Sequence, residues 1–197
     1  APRFIKNSKE FWFKTPLHKL NFLERKFYHN TFKNAIVHIA GIWVYPFLEK
    51  YTKNGIKMDM QTIDNELFKN VNHEINIQKT KFTFFSPQRM GIPKGTDLLW
   101  KALKLCKTDF EILQVNWFDE SNDEELKIKD QLLNELPSQV KLIPMIQRKK
   151  MPEYYSFSDA IIGNMRIGTW ELVDLEGVMC GKPVLSYSDS NHKLLIK

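Results

Sequence analysis

Two short stretches of the 197-residue chain carry side chains whose types and spacing suit work on an anion or on paired hydroxyls. The first is Ser86-Pro87-Gln88-Arg89-Met90-Gly91-Ile92-Pro93-Lys94-Gly95, where an arginine and a lysine stand five positions apart among glycine and proline. An arginine fork and a lysine point charge converging from one loop can hold negative charge without a metal. Taken alone, the same two residues read first as exposed surface cations. The second stretch is Leu175-Glu176-Gly177-Val178-Met179-Cys180-Gly181-Lys182-Pro183-Val184, with Glu176 inside an apolar helical run. A carboxylate accepts on both oxygens and so suits two neighbouring hydroxyls. A glutamate so placed is otherwise an ordinary surface residue.

Both stretches need elements to position them. From Asp159 to Ser186 the pattern is strand, loop, helix, tight turn, strand. Asp159 to Gly163 is an apolar run of strand length closed by Gly163-Asn164, and Glu171 to Cys180 sets Leu172, Leu175 and Met179 at helical spacing. Gly181 stops that helix, Lys182-Pro183 turns the chain, and Val184-Leu185 opens the next strand. Such a βαβ unit aims its helix N-terminus at the ligand edge of a parallel sheet, which suits an anion. Upstream, strands are expected at 81–85, 110–115 and 140–143, and helices at 96–106, 124–136 and 151–157. The first of these helices has Leu98, Leu99, Ala102, Leu103 and Cys106 as its apolar face. This alternation predicts an α/β fold with a parallel, doubly wound sheet and right-handed crossovers. Before it, Leu17, Leu20, Leu23, Phe27 and Phe32 suggest an amphipathic helix. A strand at 35–40, a helix at 44–51 with Pro46 in its first turn and a turn at Asn54-Gly55 follow.

The sequence from Asp159 onward resembles the donor-binding signature of the retaining GT-B glycosyltransferases, the family-4-like set called glycosyl transferases group 1. The family pattern runs from an aspartate through an apolar strand and a loop to E-G-F-G-L and L-E-A-M-A-C-G-K-P-V, and residues 175–184 match its second half without a gap. The resemblance implies a Rossmann-like parallel sheet flanked by helices, the C-terminal half of a GT-B enzyme. Residues 71–197 would be its nucleotide-sugar-binding domain, C-terminally truncated. Residues 1–70 would be the tail of the acceptor-side domain with an interdomain segment, in which Ile63-Asp64-Asn65-Glu66-Leu67-Phe68 keeps the family's ending. The implied activity is hexosyltransferase-like: a sugar passes from a nucleotide-sugar donor to a hydroxyl of a glycan, lipid or other acceptor, with retention and no cofactor or metal. By the same resemblance Arg89 and Lys94 fall on the G-R-L-x-x-x-K-G loop that holds the donor diphosphate, and Glu176 on the glutamate that binds its ribose. Gly168, Thr169, Trp170, Glu171 and Leu172 fall on the loop beside sugar and phosphate. Two positions depart from the pattern. Gly168 stands where the first glutamate of an E-x7-E pair is expected, and Glu171 where a loop glycine lets phosphate approach. A carboxylate at 171 must turn away from the diphosphate or take over sugar contacts. After the second strand the chain reads Val115-Asn116-Trp117-Phe118 instead of the family's G-D-G. No catalytic residue is assigned.

Composition narrows the alternatives. Hydrophobic content of 43%, with 13% aromatic residues, supports a packed core rather than disorder. No apolar run reaches transmembrane length, and the first residues lack the core of a signal peptide. The chain opens on alanine and stops soon after a strand, so both ends are expected to be cut from something longer. Cys106 and Cys180, both placed on apolar helix faces, are expected to be buried thiols in a reducing compartment. The expected location is therefore cytoplasmic. The net charge of +6, from 29 basic against 23 acidic residues, is spread along the chain apart from Arg148-Lys149-Lys150. It leaves peripheral contact with an anionic membrane face open, and no zinc-finger or RNA-binding pattern supports a nucleic-acid partner. Five scattered histidines indicate no metal cluster, and His38, on an expected strand, reads as structural. Two rival functions remain: a non-catalytic nucleotide-sugar-binding domain, favoured by Gly168 and Glu171, and a basic membrane-surface or nucleic-acid interaction module, favoured by charge alone.

Overall fold

The computed structural model describes residues 22–34, 37–39, 56–58, 62–72, 74–168 and 170–188. The chain divides into two compact units, Ala1–Gln61 and Thr62–Lys197. In the first, helix α1 (Phe22–Asn34) precedes strand β1 (Val37–Ile39), which pairs in parallel with β2 (Ile56–Met58). His38 falls on β1. Strand β2 was not foreseen, because three residues among lysines and methionines carry no alternation. The expected helix at 44–51, the turn at Asn54-Gly55 and the start of the amphipathic helix lie outside the described residues.

The second unit is the predicted α/β sheet. Its elements are β3 (Thr83–Ser86), α2 (Thr96–Leu103), β4 (Glu111–Val115), α3 (Asp123–Asn134), β5 (Val140–Ile143), α4 (Met151–Phe157), β6 (Ala160–Ile162), α5 (Leu172–Met179) and β7 (Val184–Leu185). All pairs are parallel and the strand order is β5-β4-β3-β6-β7. The chain thus winds outward from β3 in one direction, then crosses back to build on its other side. Both sheet faces are covered, which is why the strands are nearly continuous apolar runs. On one face Met90, Leu99, Trp100, Leu103, Ile112, Leu132 and Ile162 pack beneath α2 and α3. The Trp100 indole N–H donates to the Leu132 carbonyl at 3.0 Å, tying those two helices together. On the other face Phe85, Leu113, Val115, Ile143, Tyr155, Ile161 and Cys180 form a second core under α4 and α5. Phe68, expected to close an interdomain segment, is fully buried in this core.

Two expectations about helix faces need correction. Helix α2 stops at Leu103, three residues before Cys106, so that thiol is exposed and not buried; Leu98 and Ala102 also face outward. The face of α2 that packs is Thr96, Leu99, Trp100 and Leu103, since one tryptophan filling the groove against α3 decides the rotation. In α5 the pattern is inverted. Leu172 and Met179 are each 44% exposed, while the buried residues are Asp174, Glu176 and Gly177. Gly177 turns inward because the helix lies so close to β6 that a Cβ there would sit 2.9 Å from the Ile161 side chain. With Gly177 fixed, the two carboxylates follow it inside.

Candidate functional site

A parallel sheet binds ligands at the C-terminal ends of its strands, where neighbouring crossovers depart to opposite sides. Here that point lies between β3 and β6, and the loops that follow those strands, 87–95 and 163–171, line it. Helix α5 begins at the end of the second loop.

The two loops are joined several times over. The Gln88 side-chain amide donates to the Gly163 carbonyl, and the Met165 N–H to the Lys94 carbonyl at 3.0 Å. Gly95, with φ of 75°, caps α2 in a left-handed conformation. A Cβ there would lie 2.9 Å from the Met165 backbone, so only glycine allows the loops this near to one another. Gln114, at the end of β4, donates to the Gln88 and Val115 carbonyls, each at 3.0 Å. Asn164 is buried and organises the second loop: its Oδ1 accepts the N–H groups of Arg166 and Ile167, both at 2.7 Å.

The loop cations are each met by a carboxylate. Arg89 pairs with Asp119 at 2.8 Å, and Lys94 pairs with Glu171. Arg166 Nη2 reaches both oxygens of Asp97, in the first turn of α2, at 2.7 Å. Asp119 is held below the usual carboxylate range by the Ser121 hydroxyl and N–H first, then by Arg89. Glu171 is doubly engaged, since Asn164 Nδ2 donates to its other oxygen at 3.0 Å. The carboxylate at the family's glycine position therefore turns toward the first loop and neutralises Lys94. Gly168 is buried with φ of 78°, Trp170 is half-buried, Leu172 is exposed, and Thr169 lies outside the described residues.

Helix α5 contributes two buried carboxylates. Asp174 Oδ2 accepts the Glu171 N–H at 2.7 Å, capping the helix, while Oδ1 faces Gly163 without a partner. Burial pushes the Asp174 carboxyl up to about 6, with the Glu171 charge adding and the Glu171 N–H and Lys94 opposing. Glu176 is 2% exposed. Its Oε2 accepts the Tyr155 hydroxyl at 2.8 Å, and Arg148 lies 2.9 Å from Oε1. Burial, then the Glu176 charge, pushes the Tyr155 hydroxyl well above its ordinary pKa, so it stays a donor. Among the described residues, the buried side-chain atoms without an aligned hydrogen bond are Ser86 Oγ, Gln88 Oε1, Arg166 Nε, Asp174 Oδ1 and Glu176 Oε1. Each belongs to β3, the two loops or α5. Polar atoms left unsatisfied, here all but the ion-paired Glu176 Oε1, mark where a fold trades stability for a ligand or ordered water.

Sequence reasoning missed Tyr155, Asp119, Asp97, Arg166 and Asp174. Only Asp174 left a readable signal, the Glu171-x-x-Asp174 spacing of a capping box. Asp159, which opens the motif, lies at the other end of the sheet: it pairs with Lys79 and accepts the Thr83 N–H, both at 2.8 Å. Burial opposes its ionisation, but those two partners outweigh it and hold the carboxyl low. Its role is to join β6 to the start of β3. No group of three or more His, Cys, Asp or Glu among the described residues is placed to hold a metal ion, and no helix among them is long and apolar enough to cross a membrane.

Comparison with known proteins bears on this arrangement. Residues 68–197 match the family described as glycosyl transferases group 1. A search of curated proteins finds no match. Among solved structures, sucrose-phosphate synthase from Thermosynechococcus elongatus superposes with a TM-score of 0.65 at 17% identity, over 91% of this chain and 47% of its own. A glycosyltransferase from Rickettsia africae gives 0.64 at 18% identity, over 85% of this chain and 48% of its own. Anabaena HepE, in complex with UDP-glucose, gives 0.59 at 17% identity, over 87% and 50% respectively. The chain spans about half the length of each of these structures, and the likeness is one of fold.

Proposed function

The chain belongs to the glycosyl transferases group 1 family, and from that premise we propose that its second unit holds a nucleotide-sugar donor where β3 meets β6. The whole protein then moves the sugar to an acceptor hydroxyl of a glycan, lipid or other compound, with retention at the anomeric carbon. The observation that carries this reading is the convergence of the Arg89–Lys94 loop, the Glu171 loop and the start of α5 on one switch point. In this reading Arg89 and Lys94 leave their carboxylates to hold the diphosphate. They stabilise the charge that grows on it as the glycosidic bond breaks. No cofactor or metal is called on. Glu176 receives the ribose hydroxyls, and residues 168–172 face the sugar. HepE binds UDP-glucose, which makes a uridine diphosphate sugar the first donor to try. The proposed location is cytoplasmic, where the basic surplus of +6 is available for peripheral contact with an anionic membrane face.

A second reading, binding without turnover, has its own support, because the expected phosphate cations are charge-balanced by Asp119 and Glu171. Calorimetric titration of the protein with nucleoside diphosphates, followed by turnover assays with a panel of nucleotide sugars, separates the two. Binding with sugar release supports the enzyme, and binding alone supports the second reading. Absence of any nucleotide binding overturns both.

A further inference from the structure

We propose that Arg148 is a displaceable occupant of the ribose-binding carboxylate and sets how readily the site accepts a nucleotide; this rests on the reading of Glu176 given above. The two oxygens of Glu176 are held in different ways. Oε2 takes an aligned, buried hydrogen bond from Tyr155 at 2.8 Å. Tyr155 is in turn locked by edge-on contacts with Phe85 and Phe68, at centroid distances of 5.3 and 5.9 Å. Oε1 has no aligned hydrogen bond. What covers it is Arg148, 2.9 Å away, on a side chain that is 58% exposed. The guanidinium lies 4.8 Å from the centre of the Phe68 ring. Arg148 comes from a single 3-10 turn between β5 and α4, not from a helix or strand. One oxygen is therefore fixed from inside, and the other is closed from outside by a side chain with room to leave.

A vicinal diol that donates to Glu176 competes with Arg148 for Oε1. The guanidinium moves to solvent as the diol enters, and no covalent bond is made or broken. The part of the nucleotide sensed by Arg148 is accordingly the hydroxyl pair, not the phosphates or the base.

The test uses Arg148→Met, which keeps an apolar stem over Phe68 and removes the charge, with Arg148→Ala as a second variant. Circular dichroism checks the fold of each. Calorimetry then compares uridine diphosphate with its 2′,3′-dideoxy analogue on the wild type and both variants. Either folded variant is expected to bind uridine diphosphate about two- to fivefold more tightly than wild type, a modest gain because the guanidinium end of the pair is more than half exposed and its hold on the buried Oε1 is screened by solvent. The dideoxy analogue is expected to bind wild type and variants alike. An unchanged or weaker affinity for uridine diphosphate overturns the inference while leaving the nucleotide site intact, and so does an equal gain for both ligands. If wild type and variants all fail to bind either ligand, the proposed function falls and this inference falls with it.

Discussion

Glu171→Gln separates what the loop carboxylate does for the fold from what it does to the ligand. Glutamine keeps an oxygen for Asn164 and leaves untouched the Glu171 N–H that Asp174 accepts, so the start of α5 stays capped. What it removes is the charge opposite Lys94. The two side chains are 21% and 22% exposed, so the pair is neither a freely solvated ion pair nor a fully buried one. Losing one partner of a fully buried pair costs about 3–5 kcal/mol, and a surface pair contributes about 1 kcal/mol or less. Between those limits we expect the variant to lose about 1–2 kcal/mol of stability, read as a lower urea midpoint with unchanged m-value. On the proposed reading, the same pair must open before Lys94 can hold a diphosphate. Removing it should therefore strengthen binding of uridine diphosphate by a similar free energy, about five- to thirtyfold. Urea denaturation and calorimetry on the same preparation check both signs. If stability falls while affinity stays level, Glu171 does not compete with the diphosphate for Lys94, and if affinity drops the carboxylate itself touches the ligand.

Glu176→Ala should leave the sheet folded and weaken uridine diphosphate binding about ten- to a hundredfold, the worth of a charge-assisted hydrogen bond; calorimetry on the folded variant is the check. Asp174 predicts a pH effect of fixed sign. Its folded-state carboxyl is raised to about 6, so its contribution to stability is complete below the unfolded value of 3.8 and is lost as pH rises through 6. The loss amounts to roughly 2–3 kcal/mol. Asp174→Asn should flatten that slope when urea midpoints are measured from pH 4 to 7. Gly95→Ala should destabilise by about 2 kcal/mol or more, since it adds left-handed strain to a contact with the Met165 backbone. The same denaturation assay measures it.

The layout of the sheet was legible because strands buried on both faces are long apolar runs, and helix periods separate them. β3 through β7 follow from runs such as Phe84-Phe85 and Ile161-Ile162. The rotation of the helices was less legible. Apolar spacing pointed Leu172 and Met179 inward, yet Gly177 decided the matter by permitting contact with Ile161. Periodicity counts side chains that want to be buried and cannot register a position where the absence of one is what packs. Of the candidate site, one half was visible. Arg89, Lys94 and Glu176 stand in recognisable strings, but their partners Asp119, Glu171 and Arg148 are chosen by tertiary proximity. Asp119 is thirty residues from Arg89, and no local pattern ties them. Cys106 misled because the expected helix was drawn three residues too long.

The strand order also has a consequence for time. The contacts that close the crevice join residues far apart in the chain: Gln88 to Gly163 spans 75 positions, and Lys94 to Glu171 spans 77. Pairing β3 with β4, and β4 with β5, closes much shorter loops and is expected to precede them on the way to the native state. The crevice is then assembled among the last events of folding. Changes there act on the unfolding rate and leave the folding rate nearly untouched. A stopped-flow series across Gln88, Lys94 and Glu171 would show folding limbs that overlay and unfolding limbs that separate. For a cell, the competence to hold a ligand would then arrive only with the completed sheet, and a bound ligand would act as a brake on its undoing.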